Sequence, residues 1–165
     1  MAILDSKSIE FISNSTEQTR RLGMRLGALM EPGCLICLNG NLGAGKTTFV
    51  QGLAAGWGTD DAVTSPTFVL INQYERFTGG FLYHLDAYRL NSSLEALDLD
   101  LDSMLAEGAL VIEWPERIET ALPKERLWVD LSYVSEEKRR LVFTPQGNQY
   151  VNLLGEFRKR AFGGI

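Results

Sequence analysis

Apolar and polar positions along the chain follow two periods, and their succession predicts a mixed α/β protein. Short apolar or strictly alternating runs are typical of β-strands, whereas apolar residues three and four apart are typical of amphipathic helices. The pattern predicts seven strands, at residues 9–13, 34–40, 66–74, 81–88, 109–114, 126–134 and 139–147. It predicts four helices, at residues 15–30, 46–58, 92–107 and 148–162.

Two of the predicted helices have a clear apolar face. In the first helix, Ser15 and Gln18 match the S-x-x-Q capping box, and the pair Pro32 and Gly33 ends the helical pattern. Its inward face would consist of Leu22, Leu26, Leu29 and Met30. The inward face of the helix at 92–107 would consist of Leu94, Leu97, Leu101 and Leu105.

The connections between strands predict how the strands pair. The glycines of "ERFTGG" indicate a hairpin between 66–74 and 81–88, and the strands 126–134 and 139–147 look like a second antiparallel pair. The run "CLICLNG" is almost continuously apolar, which is typical of a buried parallel strand. We therefore expect one α/β domain over residues 1–165, with a mixed sheet that has a parallel centre, antiparallel additions and helices on both faces.

Composition argues against several classes of function. The net charge is -5, which does not suit a protein that wraps a nucleic-acid duplex, because affinity for the phosphate backbone needs clustered lysine and arginine. Any nucleic acid would be reached through a partner. The first ten residues contain no apolar signal-peptide core, and no run approaches the ~20 apolar residues of a membrane span. We expect a cytoplasmic protein with no membrane contact.

The two cysteines form a C-x-x-C pattern, Cys34 and Cys37, inside a predicted strand. An offset of three along a strand puts the two side chains on opposite faces, which suits neither a disulfide nor a shared metal ion. We therefore expect both thiols to lie in the core. With a single histidine in the chain, the sequence does not favour a zinc site.

Residues 40–48 read "GNLGAGKTT", which matches the phosphate-loop pattern G-x-x-x-x-G-K-[ST]. The match lies between a predicted buried strand and a predicted helix, as the motif requires. Backbone N–H groups at the helix N-terminus would then face phosphate oxygens, with Lys46 at the outer phosphates and the Thr47 hydroxyl at Mg2+. We therefore expect a P-loop NTPase-like three-layer fold, whose cradle would consist of Asn41, Leu42, Gly43, Ala44, Gly45, Lys46, Thr47 and Thr48.

Two acidic residues are candidates for the carboxylate that such a loop needs for Mg2+. Asp86 and Glu113 each end a predicted strand, and ligands of parallel sheets bind at the carboxyl ends of strands. Either acid could orient the attacking water, or could only cap a turn. His84, two residues before Asp86, could orient that acid or a phosphate, or could be a satisfied core histidine. Trp114 could cover the site or pack at the strand exit.

The segment "TSPTF" at residues 64–68 lies where phosphate-sensing switch segments lie in P-loop proteins. Thr64, Ser65 and Thr67 surround Pro66 with hydroxyl groups that could bind a γ-phosphate or its Mg2+. A polar turn at the start of a strand would have the same composition. Both interpretations stay open on local chemistry alone.

Four stretches in this order and spacing, "GNLGAGKTTF", "TSPTF", "YHLDAYRL" and "IEWPE", resemble the bacterial TsaE family of small P-loop ATPases. The similarity runs from the "STEQT" helix start through Trp114. It implies a role in the threonylcarbamoyl modification of the adenosine beside the anticodon, in tRNAs that read codons beginning with A. It also implies ATP and Mg2+ as ligands, TsaB and TsaD as partners, tRNA reached only through them, and ATP hydrolysis that supports repeated turnover.

The resemblance also implies roles for individual residues. Catalysis would rest on Lys46, Asp86 and Glu113, and the ligands of Mg2+ would be Thr47, Glu113 and Asp86. Switch-like contacts would come from Thr64 and Thr67, and the surroundings of the adenine would include Asn14, Thr16 and Glu137. Most relatives have aspartate where this chain has Asn41, which leaves the backbone cradle intact but removes a side-chain charge.

Two other functions stay open on the sequence. A small-molecule P-loop kinase usually has an arginine-bearing lid. The arginines between residues 88 and 128 are Arg89, Arg117 and Arg126, and they are not clustered. A non-hydrolysing adaptor that senses ATP would carry the same motifs. A GTPase is not favoured, because the chain has no N-K-x-D guanine reader. Arg89 is the nearest candidate for a catalytic arginine finger, and it could equally pair with a structural acid.

Overall fold

The computed structural model describes residues 7–63, 71–90 and 93–162. Its strands are β1 (Ile9–Ser13), β2 (Leu35–Asn39), β3 (Ile71–Glu75), β4 (Phe81–Asp86), β5 (Gly108–Glu113), β6 (Arg126–Tyr133) and β7 (Arg139–Gln146). Its helices are α1 (Thr16–Gly27), α2 (Lys46–Trp57), α3 (Ser93–Leu97), α4 (Leu101–Glu107), α5 (Asn148–Phe162) and a 3₁₀ helix (Pro115–Ala121). None of the helices in these ranges is long and apolar enough to cross a membrane.

The strands of the described residues form one mixed sheet in the order β1-β7-β6-β2-β5-β4-β3. At its centre, β2 is parallel to both β5 and β6, and β4 is parallel to β5. The predicted hairpin is present as the antiparallel pair β3 and β4, and the predicted second pair is present as β6 and β7. The expectation of a parallel centre with antiparallel additions is therefore confirmed.

Each face of the sheet has its own apolar core. One core packs the sheet against α1, α2 and α5, and the other packs it against α3, α4 and the 3₁₀ helix. Cys34 belongs to the first core and Cys37 to the second, as the offset of three predicts. Both are free thiols, and burial raises the pKa of each to about 12, so they behave as apolar core residues rather than as nucleophiles.

The first helix confirms its predicted face and start. Leu22, Leu26 and Met30 are buried, and the Gln18 N–H donates to the Ser15 hydroxyl at 3.1 Å. The Gln18 side chain accepts from the N–H of Asn14 at 2.8 Å, one residue earlier than in a standard capping box. Helix α1 therefore has its N-terminal amides satisfied close to the tip of β1.

Helices α1 and α2 approach each other closely through glycines. A Cβ added to Gly23 would lie 2.4 Å from the Phe49 carbonyl oxygen, and one added to Gly52 would lie 2.1 Å from the Arg20 carbonyl oxygen. No real Cβ tolerates such distances. The glycines thus set the position of α2, whose N-terminus carries the phosphate-loop motif.

The prediction of one continuous helix at residues 92–107 is wrong. It is divided into α3 and α4 around Asp100, whose φ of 52° is left-handed. The break changes the phase of the leucine repeat, so Leu94 and Leu97 are 75% and 66% exposed, against the prediction, whereas Leu101 is buried. The Asp100 carboxylate caps α4 by accepting from the Ser103 N–H and hydroxyl, which favours a new helix start at this point.

Candidate functional site

The loop between β2 and α2 has a conformation that requires glycine at two positions. A Cβ on Gly40 would lie 2.7 Å from the Leu131 carbonyl oxygen, so only glycine allows the loop to pass this close to β6. Gly45, the N-cap of α2, has a φ of 102°, which glycine adopts at no steric cost. The N–H of Ala44 donates to the Asn41 carbonyl oxygen at 3.0 Å. The N-terminus of α2 therefore faces outward at the carboxyl end of β2.

A cavity of about 620 Å³ lies at that N-terminus, within the usual size range of small-molecule sites. Strands β4 and β5 contribute its acidic wall, and the phosphate-loop motif contributes its floor. Its lining residues are Leu42, Gly43, Gly45, Lys46, Thr47, Thr48, Asp86, Tyr88, Glu113, Trp114 and Arg139. Six of the eight predicted cradle residues thus line it, while Ala44 is buried beneath the loop and Asn41 is exposed beside it.

Lys46 lies almost fully inside the site, with 7% of its surface exposed. Its Nζ donates to the Gly40 carbonyl oxygen at 2.6 Å, which closes the loop on itself. Burial lowers the pKa of Lys46, and the carboxylates of Glu113, Asp86 and Glu116 oppose that effect. The three carboxylates therefore lie close enough to the ammonium group to favour its charged form.

Trp114 lines the cavity and also packs against the apolar core on one face of the sheet. Its backbone is left-handed, with φ 58° and ψ 47°, and this turns the chain sharply out of β5. The Lys46 Nζ lies 3.9 Å from the centroid of the indole ring, and the ring of Tyr88 packs against the same indole at 5.1 Å. The two aromatic rings form the side of the cavity opposite the glycine loop.

The two predicted acids lie side by side. Asp86 and Glu113 are register partners across β4 and β5, so both carboxylates reach the cavity from the same face of the sheet. One Asp86 oxygen accepts the N–H of Tyr88 at 2.9 Å, so this residue also caps a turn. Glu113 is 5% exposed and hydrogen-bonds at 2.6 Å to His84 Nε2. His84 therefore contacts Glu113, and not Asp86 as its position along the strand suggested.

Thr47, Asp86 and Glu113 line one cavity, and their oxygens are the hard ligands that Mg2+ prefers. Within the described ranges no group of three or more His, Cys, Asp and Glu side chains could hold a metal ion. Two carboxylates and a hydroxyl in one cavity are residues that could hold Mg2+ together with phosphate oxygens, as is common for this ion.

Of the three residues predicted to surround the adenine, two lie together and one does not. A cleft of about 30 Å³ lies between the start of α1 and the hairpin loop that joins β6 and β7, which is the space of about one water molecule. Its lining residues are Thr16, Thr19, Gly45, Thr48, Glu137 and Arg139. Thr16 and Glu137 thus meet here, whereas Asn14 lies exposed at the start of α1 and is not in the lining.

Arg139 lies between the cleft and the larger cavity, and it lines both. Its Nη1 donates to the carbonyl oxygens of Ser135, Glu136 and Lys138 at 2.7, 3.2 and 2.9 Å, which pins the hairpin loop against Gly45. Arg89 is exposed and does not line the cavity. Tyr88 lies inside the stretch "YHLDAYRL" but has no spacing of its own that marks it as a site residue, and none of the four stretches contains Arg139. The predicted switch residues Thr64 and Thr67 lie outside the described residues.

Comparisons with known proteins agree with the motifs. The family model described as "Threonylcarbamoyl adenosine biosynthesis protein TsaE" matches residues 13–141. The TsaE protein of Bacillus subtilis is 36% identical over 93% of this chain and 96% of its own length. The TsaE protein of Treponema pallidum is 39% identical over 79% of this chain and 96% of its own length. The crystal structure of Bacillus subtilis YdiB superimposes with a TM-score of 0.80 at 33% identity, covering 93% of this chain and 95% of that one.

Proposed function

The chain belongs to the TsaE family of threonylcarbamoyl adenosine biosynthesis proteins, and from this membership we propose that it is a magnesium-dependent ATPase that supports this tRNA modification together with TsaB and TsaD. One observation carries the proposal: Lys46, Asp86 and Glu113 meet in one cavity at the N-terminus of α2. A cation, a helix N-terminus and paired carboxylates in one place are the parts from which P-loop enzymes build phosphoryl-transfer sites.

The charges of the site support a metal-bound polyphosphate. The helix N-terminus and Lys46 attract phosphate oxygens, whereas the carboxylates of Asp86 and Glu113 in the same cavity repel them. The repulsion would be offset if these acids held a divalent cation. ATP binding is therefore expected to depend on Mg2+, with Thr47, Asp86 and Glu113 as its protein ligands.

Catalysis in this site would rest on positioning and charge stabilisation. Bound Mg2+ would supply positive charge at the β- and γ-phosphate oxygens. Lys46 stabilises the negative charge that develops on those oxygens when the γ-phosphoryl group leaves. Glu113, held by its hydrogen bond to His84, orients the attacking water in line with the bond that breaks. The two rings of Trp114 and Tyr88 exclude bulk water from one side of the site.

The site supports slow hydrolysis by the isolated protein. A finger arginine contributes ~10^3 to 10^5 in rate in P-loop enzymes that use one. Arg139, the arginine in the lining of the cavity, has its Nη1 engaged by three backbone carbonyls of its own loop. We therefore expect TsaB and TsaD to change the hydrolysis rate, either by supplying the positive charge of a finger arginine or by favouring one nucleotide state.

Equilibrium binding of ATP, with and without Mg2+, tests the site assignment. Lys46→Ala removes the ammonium that faces the phosphates, so ATP affinity should fall at least about tenfold while the fold persists. Lys124→Ala, at an exposed lysine outside the cavity, is the matched control and should bind as the wild type does. Equal affinity in wild type and Lys46→Ala would contradict the assignment. Tight, Mg2+-dependent binding without hydrolysis under any condition would favour the ATP-sensing adaptor.

A further inference from the structure

Behind the acidic wall of the cavity, a chain of hydrogen bonds leads from half-buried Asn72 on β3, through two buried contacts, to Glu113. The Asn72 amide donates to the Tyr74 hydroxyl at 3.4 Å, and the Tyr74 hydroxyl lies 3.2 Å from His84 Nδ1. His84 Nε2 then lies 2.6 Å from a carboxylate oxygen of Glu113. His84 has no exposed surface, and Tyr74 is 3% exposed. Three neighbouring strands, β3, β4 and β5, thus contribute one residue or more each.

The chemistry of these groups allows a chain with one direction. If the Glu113 carboxylate is ionised, it only accepts hydrogen bonds, and His84 Nε2 then carries the proton that the two groups share. In a neutral imidazole the other nitrogen is then an acceptor, and the Tyr74 hydroxyl is the donor beside it. The Asn72 amide can donate to the Tyr74 oxygen, which is compatible with a hydroxyl proton directed at Nδ1. Each of the three hydrogen bonds then has one donor and one acceptor.

The chain reaches the site only through Glu113. Glu113 lines the cavity, whereas Tyr74 and His84 do not. A carboxylate on a flexible side chain has several rotamers, and a short hydrogen bond to a fully packed imidazole selects one of them. The imidazole ring is itself fixed by the bond at its second nitrogen. In metal sites and acid–base sites, partners of this kind orient the group that does the chemistry.

We propose that Tyr74 and His84 are positioning residues that hold the Glu113 carboxylate in the orientation needed for the reaction, with His84 donating to it from Nε2. This inference rests on the proposed function, because it assigns Glu113 to the metal and water end of the site. Neither residue would touch nucleotide. Their loss should therefore lower kcat while leaving nucleotide affinity close to that of the wild type.

The direction of the chain can be tested without any activity. His84 is the only histidine in the sequence, so the nitrogen chemical shifts of a ¹⁵N-histidine-labelled sample come from this one imidazole. Without nucleotide, we expect a ring that carries a proton on Nε2 and slow exchange of that proton with solvent. A ring protonated at Nδ1 alone, or an even mixture of the two tautomers, would overturn the proposed arrangement.

Kinetics of ATP hydrolysis test the positioning role. His84→Leu should lower kcat by about 10- to 100-fold, and His84→Gln, whose amide can still donate toward Glu113, should recover part of that loss. Tyr74→Phe should lower kcat by a smaller factor. Its matched control is Tyr83→Phe, which removes a hydroxyl on the opposite face of β4 that is bonded to Glu107 at 3.3 Å, and which should keep the wild-type kcat.

Outcomes of this experiment separate the inference from the proposed function. Unchanged kcat in the Tyr74 and His84 variants of an active protein would overturn the inference and leave the function intact. Parallel losses of kcat, ATP affinity and melting temperature, with no recovery in His84→Gln, would indicate a merely structural role and would overturn it as well. If the wild type neither binds nor hydrolyses ATP, the proposed function fails, and the tautomer measurement still decides the hydrogen-bond chain.

Discussion

At the scale of single residues, the end of β5 has the most unusual geometry in the molecule. Trp114 and Asp100 are the non-glycine residues with positive φ among the described ranges, and Trp114 directly follows Glu113. Such a conformation costs of order 1–3 kcal/mol and is found mainly at functional sites. Here it brings the indole ring to 3.9 Å from the Lys46 Nζ, where a cation–π contact offsets part of the cost. One backbone turn thus fixes the acid and the aromatic wall together.

Glu113→Gln is the substitution that separates binding from chemistry. The glutamine keeps the size of the side chain and an oxygen that can accept from His84, but it removes the negative charge. ATP should still bind within a few-fold of the wild-type affinity, and kcat should fall by at least about tenfold, because the lost interaction belongs to the reacting state. Single-turnover hydrolysis and equilibrium binding measure the two effects. Wild-type hydrolysis in this variant, with loss in Asp86→Asn, would transfer the role to Asp86.

At this scale the sequence correctly predicted that Lys46 and Thr47 lie at the start of a helix. It did not identify Glu113 as the hydrogen-bond partner of His84. The spacing of Lys46 and Thr47 after the glycines decides their place on the first turn of a helix. His84 and Asp86 share a face of β4, but residues two apart on a strand are separated by ~6.5 Å. Glu113 lies opposite Asp86 on β5 and diagonal to His84, and its carboxylate reaches the imidazole through a register that no local pattern specifies. Arg139 enters the site from a distant hairpin and had no signal at all.

At the scale of elements, substitutions at two helical glycines are predicted to change stability in opposite directions. Gly52→Ala would place a Cβ 2.1 Å from the Arg20 carbonyl oxygen, so the helices must separate, and stability should fall by about 1–3 kcal/mol. In α5, Gly155 has no atom within 4 Å of its Cβ position. Gly155→Ala should therefore stabilise the protein by up to about 1 kcal/mol, the ordinary gain in a helix.

Urea unfolding of the two variants beside the wild type measures both changes. The midpoints should move in opposite directions, and ATP affinity should fall only in Gly52→Ala, because α2 carries the phosphate loop. If Gly52→Ala were as stable as Gly155→Ala, the close approach of the two helices would be contradicted.

Elements with strong local signals were predicted correctly, and the failures have a physical cause. The capping box and the glycine-rich turn each specify a local conformation, so α1 and the β3–β4 hairpin lie where they were expected. The acidic segment at 92–107 has leucines at helical spacing along its whole length, and the period gives no warning of a break. A single aspartate in the left-handed region, Asp100, ends that period because its side chain caps the next helix.

At the scale of the whole molecule, the sheet and the function are linked by topology. The parallel strands β2, β4 and β5 all end at the edge where α2 begins. The phosphate-loop motif and both acids therefore meet although they lie far apart in the sequence. The order of strands and helices was enough to predict this meeting point. The cleft beside Thr16 and Glu137 could not be predicted in the same way, because it depends on the β6–β7 hairpin loop and on Arg139.

Steady-state ATP hydrolysis by the purified protein, alone and with the TsaB and TsaD pair, tests the central claim most directly. The same assay with Lys46→Ala measures the background. We expect slow, Mg2+-dependent hydrolysis by the protein alone, a clear change in rate when the pair is added, and no activity above background in Lys46→Ala under either condition. Hydrolysis that survives in Lys46→Ala, or no hydrolysis by the wild type with or without the pair, would contradict the claim that this cavity is an ATPase site.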